Sequence, residues 1–260
     1  MPAMDLSLTV AQSKRLIARA VPQVGIVRRA LMEGTVIVCK GSTTAYVAEE
    51  LTGRRLRKDR YILGRVLPSG FEAPEGMWEG GLNEVVLRRG RPVEGVALAD
   101  ALTELTAGDV IIKGANALDY RAGLVGHLIG HPTGGTLGAI LGYIHGKGAH
   151  LVVPVGLEKL VTADLSVIAQ RLQEAHSDTS MPRFWITGGC IVTEIEALQV
   201  LTGVEVAHIA SGGICGAEGA VWLRVFGTSE GLEKAANLLR EVQSEPSYLE
   251  AVEQSRRDEG

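Results

Sequence analysis

Cysteine is scarce in this sequence. Cys39, Cys190 and Cys215 are the three cysteines among 260 residues, and no two of them form a CxxC pair. This count excludes a disulfide framework and a zinc ribbon, and it favours small buried thiols in a reducing compartment. The sequence also shows no basic segment that leads into an apolar stretch near residue 1. We therefore predict no signal peptide and a cytoplasmic location.

An excess of positive charge is also missing. The net charge is −4 at pH 7, which argues against general binding to nucleic acid or to anionic membranes. The local basic run at 54–60 predicts a solvent-exposed segment where the chain leaves a helix. The long uncharged segment 122–146 contains three histidines, one proline and eight glycines. A bilayer helix needs apolar side chains instead, so we predict no membrane span.

Strands and helices alternate along most of the chain. Short β-branched runs at 35–39, 109–113 and 150–155 predict buried strands. Helical patterns separate them, which predicts an α/β protein with a mostly parallel sheet flanked by helices. We also expect a helix over 11–32 that Pro22 kinks or divides, a strand over 61–66 and a hairpin over 84–92.

The order of elements changes after a polar stretch at 176–182. Beyond it the pattern is βαββα, which predicts a small C-terminal ferredoxin-like α+β unit. We therefore expect an α/β ligand-binding domain over 1–178 and an α+β domain over 183–246. The charged residues 247–260 are expected to form a frayed tail.

The first candidate ligand site is the turn after the strand at 35–39. Gly41 lets a ligand approach the backbone, and Ser42, Thr43 and Thr44 add three hydroxyl groups. The turn leads into a predicted helix, whose N-terminus has unpaired N–H groups and a partial positive charge. This combination suits a phosphate or a carboxylate. The alternative is that Ser42 or Thr43 only caps the helix.

The second candidate is the turn that follows the strand at 109–113. Lys113 offers a cation, Gly114 an accessible backbone, Asn116 an amide that donates and accepts, and Asp119 a candidate general base. Because parallel strands end at the same edge of a sheet, we expect this turn to lie beside the first one and to share its ligand. The alternative is a tight turn with Lys113 extended to water.

Two histidines lie four residues apart in the glycine-rich segment. His127 and His131 have the spacing of two metal ligands on one helix face, but Pro132 disfavours helical geometry at His131. We therefore predict no metal and no cofactor, and we assign the histidines to proton transfer (His127) and to ligand binding (His131). A metal-dependent protein and ordinary structural histidines are the alternatives.

Glycines occupy every fourth position from 126 to 146. The last four would line one stripe of a helix predicted over 134–145. Each glycine in a helix interior costs about 1 kcal/mol relative to alanine. We expect the glycines to offset this cost by letting the sheet, a ligand or a second subunit approach the helix backbone closely. Contact with a second subunit would make the protein a homo-oligomer, which we therefore predict.

Three segments carry a resemblance to a known superfamily. Residues 36–44 (VIVCKGSTT) resemble the phosphate-binding Gly-Ser/Thr loop of the ribose 5-phosphate isomerase, glucosamine 6-phosphate deaminase and CoA-transferase-like fold, which also occurs in the effector domains of DeoR-type repressors. Residues 109–118 (DVIIKGANAL) are similar to the later strand and Lys-Gly turn of the isomerases, and 156–161 (GLEKLV) to a strand-end motif of lactate-utilisation-type members. The isomerases' Asp-Gly-Ala-Asp signature is absent, and their four-glycine run is reduced to Gly114.

The resemblance implies a Rossmann-like fold with its ligand at these turns. Together with the residues themselves, it predicts that the chain binds a small anionic metabolite, which is a sugar phosphate, an organic acid or a CoA derivative. The first hypothesis is an enzyme with isomerase-like or transferase-like chemistry. The second is a sensor or binding protein that uses the same pocket without catalysis.

Overall fold

The protein is an α/β molecule with three β-sheets. We describe it from a computed structural model that defines residues 2–175 and 182–257, so the predicted boundary at 176–182 lies almost wholly outside the described residues. Within these ranges, every helix is too short or too polar to pass through a bilayer.

The strands and helices have the following bounds. The strands are β1 (Ala3–Leu8), β2 (Thr35–Val38), β3 (Val85–Arg88), β4 (Arg91–Val93), β5 (Val110–Ile112), β6 (Ala117–Asp119), β7 (Leu124–Ile129), β8 (His150–Pro154), β9 (Arg183–Thr187), β10 (Cys190–Val192), β11 (Glu205–Ser211) and β12 (Val221–Phe226). The α-helices are α1 (Val10–Ala20), α2 (Gly25–Glu33), α3 (Ser42–Thr52), α4 (Leu98–Thr103), α5 (Gly135–Lys147), α6 (Leu165–Glu174), α7 (Glu194–Thr202), α8 (Ser229–Val242) and α9 (Tyr248–Arg257). Two short 3₁₀ helices are η1 (Val21–Gln23) and η2 (Leu157–Lys159).

The central sheet has six strands in the order β10-β8-β5-β2-β3-β4. The first four are parallel, and β3 and β4 are antiparallel to their neighbours. All of β5 is buried, as are all residues of β2 and β8 except the first, so their apolar side chains form much of the core. The predicted α/β class and mostly parallel sheet are confirmed. The hairpin over 84–92 and the division of the first helix at Pro22 are confirmed too.

Two smaller antiparallel sheets flank this one. Their orders are β1-β12-β11 and β6-β7-β9. Strands of the segment 183–246, expected to form a separate ferredoxin-like sheet, occur in all three sheets: β9 pairs with β7, β10 with β8, and β12 with β1. Because local pattern does not encode strand partners, β1 and β7 were not anticipated as partners of this segment.

Three local predictions were wrong. The segment 61–66 is not a strand. Its apolar Tyr61 is fully buried in a loop, where its hydroxyl donates to the Val38 carbonyl at 2.5 Å and accepts the Val85 N–H at 3.1 Å. The basic run at 54–60 is not wholly solvated, because Lys58 is buried and bonds to Glu49 at 2.8 Å. The expected tail contains α9, which the buried Val252 anchors.

The glycines of α5 do not share one close contact. A Cβ at Gly138 would lie 2.2 Å from the Thr133 carbonyl oxygen, so this position requires glycine. A Cβ at Gly142 or Gly146 would meet no atom within 4 Å. The regular spacing therefore does not reflect one packing surface within the described chain.

This difference predicts opposite effects for one substitution at two positions. Gly142→Ala should raise the free energy of unfolding by about 1 kcal/mol, because alanine has the higher helix propensity and finds open space. Gly138→Ala should lower it by about 1–3 kcal/mol, because the methyl group overlaps a carbonyl oxygen. Urea unfolding of both variants measures this. A loss of stability with Gly142→Ala would instead show that α5 is packed against another subunit at this point.

Candidate functional site

The carboxyl ends of four parallel strands meet at one edge of the central sheet, which we call the carboxyl edge. Val38 of β2 lies opposite Ile112 of β5, so the turns at 39–41 and 113–116 leave the sheet side by side. The loop 155–160 after β8 and Thr193 after β10 leave it at the same edge. The expectation that the first two turns share an edge is confirmed.

Helix α1 contributes side chains to this edge. It packs against α3 and α7, which begin directly after β2 and β10. Its Lys14 ammonium donates to Ser42 Oγ, at the start of α3, over 3.3 Å. The neighbouring Ser13 hydroxyl lies close enough to Glu194, at the start of α7, to affect its pKa. One helix thus places two polar side chains at opposite ends of the carboxyl edge.

Three ammonium groups converge here. Lys14 comes from α1, Lys113 from the end of β5 and Lys159 from η2, and each lies within electrostatic range of at least one other. Lys159 donates to the Ala115 carbonyl at 2.7 Å. Among the described residues, none of the three has a carboxylate within 4 Å. The carboxyl edge therefore holds three ammonium groups that form no direct ion pair, although Glu158 lies within electrostatic range of Lys14 and Lys159.

Burial and the repulsion of a neighbouring cation lower the pKa values of Lys14 and Lys159. Burial lowers the pKa of Lys14 to about 8, and the charge of Lys159 acts in the same direction. Burial also lowers the pKa of Lys159, and Lys113 adds to this effect while Glu158 opposes it. An amine that is desolvated and close to another cation loses its proton more readily.

Two carboxylates complete the cluster. Glu194 is fully buried: its Oε2 accepts the Leu157 N–H at 2.9 Å, whereas its Oε1 has no hydrogen-bond partner. Burial raises its pKa to about 7, and the charge of Glu158 raises it further. Glu158 Oε2 is also unpartnered, and a Cβ at residue 156 would lie 1.8 Å from it. Gly156 is therefore needed for Glu158 to fold back over the loop.

The first predicted turn keeps its helix end open. Gly41 is the residue before α3, and no side chain caps the helix. Thr44 Oγ1 donates to the Gly41 carbonyl at 3.2 Å, while the buried Thr43 Oγ1 has no partner. The capping role considered for Ser42 and Thr43 is therefore excluded, and the N–H groups of the first turn of α3 face the carboxyl edge uncapped.

His127 is a buried neutral imidazole. It lies on β7, its Nε2 is 2.9 Å from Thr187 Oγ1, and its Nδ1 has no partner. Burial lowers its pKa to about 3, and the positive charge of Lys113 contributes. His127 therefore lies near Lys113 but carries no charge at neutral pH.

Three other predicted residues are engaged in local turns. Asp119 Oδ1 accepts the Ala122 N–H and Asn116 Oδ1 accepts the Leu128 N–H, both at 3.0 Å. His131 is exposed and bonds within its own turn to Thr133. None of these side-chain hydrogen bonds involves a lysine of the cluster, so Asp119, Asn116 and His131 have no direct contact with it.

Metal binding has little support in the geometry. The described residues contain no group of three or more His, Cys, Asp or Glu side chains arranged around a common point. His127 lies on a strand and His131 in the following turn, so they do not have the helical spacing that a shared metal would need.

Surface grooves occur elsewhere in the molecule. One of about 790 Å³ lies between α6 and β9 and includes Phe184 and Trp185 in its walls. Another is lined by ion-paired residues of α1, α3 and α8, including Arg15 and Glu49. Neither groove is lined by a lysine or a glutamate of the carboxyl edge, so the ionisable cluster lies outside both of them.

Of the five ionisable residues in the cluster, the sequence identified only Lys113. Lys14, Glu158, Lys159 and Glu194 were not among the candidates for chemistry. Glu158 and Lys159 follow a predicted buried strand, and the rule that ligands bind at strand ends would have selected them. Lys14 and Glu194 have no comparable local signal, because only the packing of α1 on α3 and α7 brings them to the site.

The raised pKa of Glu194 predicts a pH-dependent effect of removing its charge. Its carboxyl is neutral in both states below about pH 4.5. Between about pH 4.5 and pH 7 the unfolded chain ionises this carboxyl while the folded state keeps it protonated, so stability falls as pH rises through this window and levels off above about pH 7. The substitution Glu194→Gln removes this penalty. The change that it causes in the free energy of unfolding should therefore be about 3 kcal/mol more stabilising at pH 9 than at pH 4.

Urea unfolding followed by tryptophan fluorescence across this pH range tests the prediction. Glu233→Gln on α8 is the matched control, because Glu233 is exposed. Equal effects of the two substitutions at every pH would show that Glu194 ionises as freely as a surface carboxylate.

Comparison with known proteins adds no relative. No protein-family model matches the chain, and neither a curated protein nor a solved structure matches it. The function is therefore argued from the geometry and charge of the carboxyl edge.

Proposed function

We propose that the carboxyl edge binds a small anionic metabolite: a sugar phosphate, an organic acid or a CoA derivative. The observation that carries this proposal is the convergence of Lys14, Lys113 and Lys159 without a carboxylate within 4 Å of any of them. Partly buried cations that lack counter-ions are unfavourable, and an anion would relieve both their desolvation and their repulsion.

The start of α3 supports the same ligand. The helix has 11 residues and no side-chain cap, so its first N–H groups and its dipole are directed at the carboxyl edge. Ser42 adds a hydroxyl there, which already accepts the Lys14 ammonium. The resemblance of residues 36–44 to a phosphate-binding loop points to the same position.

Unsatisfied buried groups are a further support. Thr43 Oγ1 in α3, Glu158 Oε2 in η2 and Glu194 Oε1 in α7 are buried atoms without hydrogen-bond partners, and all three elements follow parallel strands at the carboxyl edge. Most buried polar atoms in proteins have a partner. A polar ligand at this edge would supply partners to several of them together.

Groups able to transfer protons near neutral pH favour catalysis over passive binding. Glu194 has a pKa of about 7 and Lys14 one of about 8, so each changes charge close to physiological pH. Shifts of this kind are typical of active sites, where a general acid or base works best near the ambient pH. The proposal is therefore an enzyme with isomerase-like or transferase-like chemistry.

Thermal unfolding with added anions tests the binding site. The panel should contain sulfate, phosphate, ribose 5-phosphate, pyruvate and acetyl-CoA. A ligand at about 100 times its dissociation constant should stabilise the unchanged protein by about 2.7 kcal/mol. Lys113→Met should raise the dissociation constant of the anion about tenfold or more, because it removes one charge-assisted interaction.

Lys234→Met is the matched control. Lys234 is an exposed lysine of α8 that bonds to Glu230 one turn away. This variant should respond to the anions as the unchanged protein does. A response that is absent from all three proteins, or equal in the two variants, would contradict an anion site at the carboxyl edge.

A further inference from the structure

The environment of Lys14 differs from that of an ordinary anion-binding lysine. Its one hydrogen bond among the described contacts goes to a neutral group, Ser42 Oγ at 3.3 Å. The charged groups that influence it are Lys159 and Glu158, both on η2. An amine in this position has a cation beside it, a carboxylate within electrostatic range and no ion pair to immobilise it.

We propose that Lys14 is a nucleophile that forms an imine with the carbonyl group of an anionic substrate held at the carboxyl edge. The inference rests on the proposed anion site and names the substrate class: a small ketone or aldehyde that also carries a carboxylate or a phosphate. Because Ser42 both contacts Lys14 and begins α3, an anionic group at the N-terminus of α3 lies beside the amine. The anionic group and the carbonyl therefore belong close together in the substrate, as in a 2-oxo acid or a phosphorylated hydroxyketone.

The ionisation of Lys14 suits this role. Its pKa is lowered to about 8 by burial and by Lys159, so a substantial fraction of the amine is neutral in mildly alkaline solution. Only the neutral amine has the lone pair that attacks a carbonyl carbon. A lysine with an ordinary pKa near 10.4 would be almost fully protonated under the same conditions.

Glu158 and Glu194 provide the proton that the reaction needs. Each has one buried oxygen without a partner, and the two carboxyls influence each other electrostatically. Burial and the negative charge of Glu158 raise the pKa of Glu194 to about 7, so Glu194 is the member that holds a proton up to neutral pH. Glu158 is the member within electrostatic range of Lys14, and its position depends on Gly156.

The step balances with these groups alone. The lone pair of the neutral Lys14 amine forms a bond to the carbonyl carbon, and the C=O π pair moves to oxygen, which takes the proton of the carboxyl pair. The carboxylate so formed removes one proton from nitrogen. It returns that proton to the hydroxyl group, which leaves as water while the nitrogen lone pair forms the C=N bond. The products are a protonated imine, water and an ionised carboxylate pair.

Reductive trapping of the full-length chain tests the inference. The protein is incubated with pyruvate and sodium cyanoborohydride, and the modified peptide is identified by mass spectrometry. A parallel reaction uses dihydroxyacetone phosphate, so the two arms distinguish a carboxylate from a phosphate substrate. We expect one reduced adduct, on Lys14, in at least one arm, with a rate that is greatest between about pH 7 and pH 8, where part of the Lys14 amine is neutral and part of the Glu194 carboxyl is still protonated.

Three controls sharpen the test. Lys14→Arg keeps the positive charge but not the nucleophile, so it should abolish the adduct. Lys234→Arg changes an exposed lysine and should leave trapping unaltered. Acetone has a carbonyl but no anionic group. Its adduct should form at least about tenfold more slowly, because acetone makes no charge-assisted contact with the site.

The outcomes separate this inference from the proposed function. An adduct that spreads over exposed lysines, or that persists in Lys14→Arg, overturns the imine. If the unchanged protein is stabilised by sulfate but neither carbonyl probe labels Lys14, the anion site stands and the imine is rejected. If sulfate has no effect and no adduct forms, both are rejected. Because the site is mapped in the unchanged chain, a folding defect in Lys14→Arg would not affect this conclusion.

Discussion

The parallel pairing of β2, β5, β8 and β10 is the constraint on which the candidate site depends. It brings four connections to one edge of the sheet, although their sequences are separated by up to about 150 residues. Helix α1, which packs on α3 and α7, then adds Lys14 to that edge. The buried β-branched strands fix the positions of these elements, so the charges at the edge are held close together by the core and not by attraction for one another.

A comparison of Lys14 with its neighbour Arg15 shows that the chain is able to neutralise buried charge. Arg15 bonds to Glu49 at 2.5 Å, to Glu50 at 2.8 Å and to Glu245 at 2.7 Å. This network joins α1 to α3 and to the end of α8, and its role is structural. Lys14, one position earlier, has only a hydroxyl. The two residues belong to the same helix, so the lack of a counter-ion at Lys14 reflects its position at the carboxyl edge.

Much of the fold follows from local sequence. The β-branched runs that became β2, β5 and β8 identify the parallel strands, and Lys113, Gly114 and Ser42 were found by the rule that ligands bind where such strands end. The sequence does not identify the partners of β1, β9 and β10, because pairing depends on contacts between distant segments. For the same reason Lys14 and Glu194 were missed. Asp119 and Asn116 follow β5 in sequence, yet the chain turns into β6 and their side chains satisfy local backbone N–H groups.

The most direct test of the account is a crystal structure of the protein grown with selenate, whose selenium atom identifies the anion by anomalous scattering. An anion site at the carboxyl edge should give one strong peak at the N-terminus of α3, within hydrogen-bond distance of Ser42 and of the ammonium of Lys113 or Lys159. A carboxyl edge closed by packed side chains, with selenate bound elsewhere or not at all, would contradict it.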